Sequence, residues 1–168
     1  MNRHGIILRP WRREDAQALA LIANNRKVAQ NLRDYFPSPY TVMDAMQWIE
    51  TQKDQKPVTH FAIVFDGIIV GNIGCTPKED IYRKSIEIGY FIGEPFWGKG
   101  IATESVKVLV EYIALHFDVV RLYAEVFEHN KESMRVLQKN GFYLEGIRQR
   151  SVIKNNALMS DYVWVKLL

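Results

Sequence analysis

The sequence has few of the features that mark proteins outside the ordinary globular class. It contains one cysteine, Cys75, so no internal disulfide forms and no oxidising compartment is needed. Its apolar runs are all much shorter than the roughly 20 residues that span a bilayer. The 22 basic and 19 acidic residues leave a net charge of only +3, without the concentrated basic run typical of nucleic-acid binding. We therefore expect a cytoplasmic protein with neither a membrane nor a nucleic-acid partner.

The composition that remains is that of a folded domain. Of the 168 residues, 48% are hydrophobic and 24% are charged, which is enough apolar surface for a core without disulfides. At this length we expect a single domain over residues 1–168. The opening apolar run at 6–8 is stopped by Arg9 and Pro10, too early for a secretory signal.

Hydrophobic patterning predicts alternating strands and helices. Two β-branched runs at 60–65 and 68–73 are separated by Asp66 and Gly67, which is typical of a tight hairpin. The run at 85–92 alternates, and Gly89 within it predicts a β-bulge. Further strands are predicted at 6–8, 119–127, 144–153 and 158–167, and helices at 16–23, from 42 onward, at 102–117 and at 131–140. Antiparallel hairpins ahead of one crossover helix indicate an α/β or α+β fold around a mixed sheet.

A glycine-containing loop at 97–102 lies between a predicted strand and a predicted helix. Gly98 and Gly100 allow the backbone to turn sharply and to approach a ligand. The free N–H groups at the start of the following helix carry partial positive charge, which suits a phosphate. A glycine pair also serves simply as a tight turn, and the spacing alone does not separate the two interpretations.

Two common phosphate-binding patterns fail in this loop. The nucleoside-triphosphate pattern matches Gly93, Gly98 and Lys99 but places Gly100 where a Mg²⁺-binding hydroxyl is needed. The dinucleotide pattern matches Gly98 and Gly100 but places Thr103 at its third glycine. Each pattern thus lacks a residue that its chemistry requires.

A third pattern fits more of the chain. The segments Glu-Ile-Gly-Tyr-Phe-Ile at 87–92, Trp-Gly-Lys-Gly-Ile-Ala-Thr-Glu at 97–104, Asn-Lys-Glu-Ser at 130–133 and Lys-Asn-Gly-Phe at 139–142 resemble the GNAT superfamily of N-acetyltransferases. Within it, they look most like the ribosomal-protein N-terminal (alanine or serine) acetyltransferases. The resemblance implies a mixed, mostly antiparallel central sheet with a splayed, bulged strand pair and flanking helices. It further implies direct acetyl transfer from acetyl-CoA to the primary amine of a protein N-terminus or a small molecule, by a monomer or homodimer.

The resemblance also implies where acetyl-CoA binds. The family's pyrophosphate loop falls on Trp97, Gly100 and Ala102, with Trp97 in place of the usual Gln or Arg. The pantetheine arm would run along the splayed strand and contact Asn130, which is also a natural helix N-cap. The implied cofactor-binding residues are Tyr90, Phe91, Trp97, Gly98, Lys99, Gly100, Ile101, Ala102, Thr103, Asn130 and Ser133.

Catalytic roles follow from the same resemblance. Glu87 occupies the position of the general base, which an amine needs because it arrives mostly protonated; a salt-bridging residue is the other interpretation. The backbone N–H of Phe91 is the expected oxyanion contact. The tyrosine that serves as general acid in the family corresponds to Leu137 here, so Ser133 is the expected substitute near the thioester sulfur. The other interpretation of Ser133 is a second helix-capping residue. Because Leu137 cannot donate a proton, a catalytically silent acyl-CoA-binding module is the rival function.

The remaining candidates point away from other chemistries. His4, His116 and His129 lack metal-ligand spacing, and His60 reads as a core or edge histidine. Cys75 has no identifiable neighbouring base, so direct transfer is favoured over an acetyl-cysteine intermediate. The acceptor pocket is expected from the first two helices and the final strand pair, including residues 33–40.

Overall fold

A computed structural model describes residues 1–3 and 5–168 of the chain; the His4 prediction lies outside them. The described strands form one sheet in the order β1-β2-β3-β4-β5-β6-β8-β7. They are β1 (Asn2–Arg3), β2 (Ile6–Pro10), β3 (His60–Phe65), β4 (Ile68–Pro77), β5 (Ser85–Ile92), β6 (Arg121–Phe127), β7 (Tyr143–Lys154) and β8 (Ala157–Leu167). The α-helices are α1 (Ala16–Ala23), α2 (Arg26–Ala29), α3 (Val42–Gln52), α4 (Ile101–His116) and α5 (Lys131–Lys139).

Within the described sheet, β5 and β6 form the parallel pair and all other neighbours are antiparallel. Helix α4 makes the crossover between these two strands, as the sequence predicted. The mixed, mostly antiparallel sheet is therefore confirmed. Among the described residues, no helix is long and apolar enough to cross a membrane.

The parallel pair separates after only three residue pairs. Pairing runs from Ser85 opposite Arg121 to Glu87 opposite Tyr123, whereas both strands continue several residues further. Because the remaining backbone of β5 on this side has no strand partner, a gap opens in the middle of the sheet. The predicted splay is confirmed.

The bulge predicted at Gly89 is wrong. Gly89 lies opposite Gly74 of β4, in a register that runs without a shift along the whole β4–β5 ladder. A Cβ atom added at Gly74 would lie 2.3 Å from the His60 ring, whereas one at Gly89 would meet nothing within 4 Å. Gly74 is required by close packing, and Gly89 borders the open gap.

The two faces of the sheet carry different helices. Helix α4 packs Val106, Leu109 and Ile113 onto one face, in the larger apolar core. Helices α1 and α3 bury Leu19 and Ile49, with other apolar residues, in a second core on the opposite face. Residues of both helical layers, such as Trp48 of α3 and Ala102 of α4, line the space at the gap between β5 and β6.

Local capping chemistry fixes the ends of the elements as predicted. Thr41 and Asp44 form the reciprocal capping box of α3. Asp66 and Gly67 both have positive φ, as the tight turn between β3 and β4 requires. Helix α5 ends at the left-handed Gly141, after which the next N–H donates to a carbonyl of the last helical turn at 3.1 Å. The short helix α2 was not predicted because four residues carry too little periodicity.

Candidate active site

A cavity of about 1500 Å³ opens where β5 and β6 separate. One end is formed by the glycine loop and the start of α5, and the other by the loop before α3, β5, β6 and the β7–β8 hairpin. All of the predicted cofactor-binding and catalytic residues line it: Glu87, Tyr90, Phe91, Trp97, Gly98, Lys99, Gly100, Ile101, Ala102, Thr103, Asn130 and Ser133. The structure therefore brings together residues that lie on three separate segments of the sequence.

The glycine loop presents a helix start to the cavity. Gly98 and Gly100 have φ of 75° and 76°, a left-handed conformation that favours glycine, and Gly100 directly precedes α4. The N–H groups of the first helical turn have no carbonyl partner within the helix. A Cβ atom at either glycine would meet nothing within 4 Å, so open space adjoins the loop. The geometry suits an anionic group bound by backbone amides.

The side chains of Trp97 and Lys99 contact neighbouring residues of the protein. The indole Nε1 of Trp97 donates a 2.6 Å hydrogen bond to the carbonyl of Ile92, at the end of β5. The ammonium group of Lys99 lies 5.4 Å from the centre of the Phe96 ring. The departure from Gln or Arg at position 97 thus replaces a side-chain donor with a structural tie.

The register of β5 decides which backbone groups face the gap. In an antiparallel ladder, alternate residues bond to the neighbouring strand, and both Ser85 and Gly93 bond toward β4. Odd-numbered residues therefore point their N–H groups toward β4, and Phe91 is opposite Asn72. The expected oxyanion contact at the Phe91 N–H is consequently wrong. Tyr90 presents a free N–H to the gap, whereas the Ile88 N–H belongs to the last β5–β6 pair, Glu87 with Tyr123.

Tyr90 and Ser133 meet at the start of α5. The Asn130 side chain accepts a hydrogen bond from the backbone N–H of Ser133 at 3.2 Å, as an N-cap does. The Ser133 hydroxyl lies 2.9 Å from the Tyr90 hydroxyl. Burial raises the pKa of Tyr90 to about 12, so its phenol stays protonated. Leu137, by contrast, is fully buried and does not line the cavity.

Glu87 lies between two cations. Arg33 donates from Nη2 to one of its carboxylate oxygens at 2.6 Å, and Lys78 donates from Nζ to the other at 2.6 Å. The Tyr123 hydroxyl is 3.4 Å from the second oxygen. Glu87 therefore forms the salt bridges that one interpretation of the sequence predicted. The same residue also lines the cavity, where a general base is needed.

A wider charge network surrounds this pair and was not predicted. Arg33 Nη2 also reaches Glu125 at 3.4 Å, while Arg148 pairs with both Glu125 and Asp161. Burial raises the pKa of the Asp161 carboxyl above its usual range, against the opposing effect of Arg148. These residues come from β6, β7 and β8. Strand alternation places Glu125 on the same face as Tyr123, but only the strand order shows that this face meets Arg33.

His60 lies in an aromatic part of the cavity wall. Its ring is edge-on to Trp48, with the ring centres 5.6 Å apart, and its Nδ1 is 3.0 Å from the Thr59 hydroxyl. Burial lowers its pKa to about 4, so the imidazole is neutral at physiological pH. The described residues contain no cluster of His, Cys, Asp and Glu able to hold a metal ion.

Acidification is expected to destabilise the protein through His60. Its pKa is about 4 in the folded chain and about 6.5 in the unfolded chain, so only the unfolded chain gains a proton as the pH falls between these values. Lowering the pH from 7 to 5 should therefore remove about 2 kcal/mol of unfolding free energy. Urea unfolding of the wild type and of His60→Gln at both pH values measures this effect. An equal loss in the two proteins would contradict it.

Cys75 does not reach the cavity. It is 1% exposed on β4, and burial raises the pKa of its thiol to about 12. A thiol so held is a poor nucleophile because the thiolate is the reactive form. The arrangement supports direct transfer without an acetyl-cysteine intermediate.

Fold and site together define an acyltransferase that uses a CoA thioester. The chain belongs to the GNAT acetyltransferase family, because the profile described as "Acetyltransferase (GNAT) domain" matches residues 6–143. The probable N-acetyltransferase YjcK of Bacillus subtilis is 29% identical over 177 residues, covering 97% of this chain and 93% of that protein. Spermidine N(1)-acetyltransferase of Escherichia coli K12 is 26% identical over 146 residues, covering 86% and 76%.

Solved structures agree with this membership at the level of the fold. RimL, described as a ribosomal L7/L12 α-N-protein acetyltransferase in complex with coenzyme A, gives a TM-score of 0.88 at 20% identity, covering 99% of this chain and 96% of its own. The family prediction is confirmed, together with N-acetyltransferase activity, acetyl-CoA as cosubstrate and an amine as acceptor. The relatives are named for different acceptors, so likeness alone does not identify the acceptor of this chain.

Proposed function

We propose that this enzyme acetylates a primary amine by direct attack on acetyl-CoA held in the gap between β5 and β6. The observation that carries the proposal is the end of strand pairing at Glu87 and Tyr123, because the cavity opens at that point. The same cavity extends to the glycine loop, so one ligand can contact both ends.

In this proposal the CoA pyrophosphate binds the backbone amides of residues 98–103. The pantetheine arm then pairs with the Ile88 carbonyl and the backbone groups of Tyr90, which lie beyond the last β5–β6 pair. Asn130 and Ser133 border the arm from the start of α5. A flexible chain held along its length places its thioester in a defined position, which is a main source of rate in acyl transfer.

The chemistry follows from the groups around the gap. The amine nitrogen attacks the thioester carbonyl, and Glu87 takes the proton that the ammonium must lose, directly or through water. The developing oxyanion is held by a backbone N–H, for which that of Tyr90 has the required direction. The C–S bond then breaks, and the nitrogen loses its second proton to water. The thiolate takes one proton from water, relayed through the Ser133 hydroxyl, which ends the step protonated. Tyr90 holds that hydroxyl at 2.9 Å.

Turnover with a broad acceptor panel tests the proposal. The protein is incubated with acetyl-CoA and peptides with free N-termini, amino acids or polyamines, while free thiol is followed and CoA binding is measured by calorimetry. We expect thiol release together with a mass increase of one acetyl group on at least one acceptor. Tight CoA binding without transfer to any acceptor would support the rival, a silent acyl-CoA-binding module.

The finer points on location and partners belong to the same proposal. We place the enzyme in the cytosol, because acetyl-CoA is available there to a protein with no need for disulfides. Its acceptor is the amine of a protein N-terminus or of a small molecule, and the enzyme acts as a monomer or homodimer. Size-exclusion chromatography with light scattering measures the oligomeric state.

A further inference from the structure

We propose that the acceptor carries a carboxylate within a few bonds of its reacting amine, and that Arg33 binds this carboxylate. The inference rests on the proposed function, in which the amine meets the thioester beside Glu87. It deepens that function by assigning the acceptor end of the cavity a preferred chemistry.

The exposed partner in each ion pair beside Glu87 is the cation. The Arg33 side chain is 51% exposed, whereas its partners Glu87 and Glu125 are 19% and 26% exposed. Lys78 is 30% exposed against the same Glu87. An acceptor that enters this end of the cavity therefore meets ammonium and guanidinium groups before it meets carboxylates.

Arg33 is anchored to carboxylates through one nitrogen and keeps N–H donors that no described carboxylate uses. Its Nη2 makes the hydrogen bonds to Glu87 and Glu125, and no hydrogen bond to a carboxylate of the described residues involves its Nη1 or Nε. The phenol of Tyr35 accepts a further hydrogen bond from the guanidinium. A guanidinium has five N–H donors in a planar fork that matches a carboxylate, so the donors not used by Glu87, Glu125 and Tyr35 can bind an anionic group while Nη2 stays in place.

A polycationic acceptor fits this end less well. Arg148 already neutralises Glu125 and the buried Asp161, so an incoming ammonium would have to displace a resident guanidinium. Other carboxylates line the cavity as well, namely Asp44, Glu132 and Asp34, which is 72% exposed beside a partner Lys154 that is 9% exposed. In the ion pairs that contain Glu87, however, the cation is the more exposed partner.

The spacing limits where the carboxylate sits in the acceptor. Arg33 Nη2 is 2.6 Å from one oxygen of Glu87, the carboxylate that would receive the amine proton. A molecule that contacts both groups must carry its amine and its anionic group close together. Free α-amino acids meet this condition, as does a peptide N-terminus followed at once by an acidic side chain.

Matched acceptors test the inference with the wild-type enzyme. The series comprises a free α-amino acid, its amide and its decarboxylated amine, and a peptide with aspartate second beside the same peptide with asparagine. We expect kcat/KM to be about tenfold or more higher for the carboxylate member of at least one pair, in keeping with a charged hydrogen bond. The pair that shows the preference identifies a free amino acid or a peptide as the source.

Variants assign the preference to Arg33. In Arg33→Gln the ratio between carboxylate and amide acceptors should fall to about one, even though both absolute rates change because Glu87 loses a partner. Arg33→Lys, which keeps the charge, should retain part of the ratio, and an unchanged KM for acetyl-CoA would show that the fold persists. Arg83→Gln is the control, since among the described residues Arg83 donates to its own loop at the Asp80 carbonyl and does not line the cavity.

The outcomes separate this inference from the proposed function. A kcat/KM for amides, decarboxylated amines or polyamines that equals or exceeds the value for carboxylate acceptors would overturn the inference. It would leave the proposed acetyl transfer intact. An Arg33→Gln variant that slows every acceptor equally would also overturn it. Absence of turnover with every amine would instead contradict the proposed function.

Discussion

Glu87→Gln is expected to lower kcat by about a hundredfold or more near neutral pH, while the dissociation constant of CoA changes little. The amide keeps the shape of the side chain but cannot take a proton from the attacking ammonium. It also leaves Arg33 and Lys78 without their shared anion. Stopped-flow or steady-state thiol release, together with calorimetry for CoA, measures the two quantities separately.

Glu125→Gln is the matched control for this prediction. Glu125 shares Arg33 with Glu87 and lines the same cavity, but it lies two residues further along β6 from the end of strand pairing. If Glu87 acts as a base, Glu125→Gln should lower kcat only a few fold, and activity of Glu87→Gln should recover as the pH rises and more amine is neutral. Equal losses in both variants, without a change in pH dependence, would assign Glu87 to the charge network alone.

Gly100→Val is expected to raise the dissociation constant of CoA at least about tenfold, which corresponds to about 1.4 kcal/mol. Position 100 has φ of 76°, and a β-branched residue there is strained. The added side chain also points into the open space where the pyrophosphate would lie. Calorimetry with CoA measures the change directly.

A second glycine separates strain from obstruction. Gly67, in the turn between β3 and β4, has φ of 77° and an equally open Cβ position, but it does not line the cavity. Gly67→Val should lower the unfolding free energy by an amount similar to Gly100→Val and leave CoA binding unchanged. Equal loss of CoA affinity in the two variants would contradict the phosphate-binding role of the loop.

Most of the fold could be predicted because its determinants are local. The hairpin at Asp66 and Gly67, the capping box at Thr41 and the ends of α5 each depend on a few adjacent residues, and the structure has them where they were expected. The ordered motifs also predicted the cavity-lining residues, because each motif forms one loop or one end of a strand or helix at the cavity.

The features of the fold and site that the sequence did not predict depend on contacts between distant segments. A glycine within a strand is compatible with a bulge or with an open neighbour, and only the unbroken register with β4 shows that Gly89 borders a gap. The same register turns the Phe91 N–H away from the site. Arg33 meets Glu87 across 54 residues of sequence, and Glu125 across 92, so no local pattern predicts the charge network. The residues that set acceptor chemistry are therefore the least readable from sequence.

A crystal structure of the protein with CoA tests the central claim most directly. We expect the pantetheine arm to lie between β5 and β6, bonded to the backbone of Ile88 or Tyr90, with the sulfur on the same side of the gap as the Ser133 hydroxyl. The pyrophosphate should contact the amides of residues 98–103. A CoA molecule bound elsewhere, with the gap between Glu87 and Phe127 empty, would contradict the proposed site.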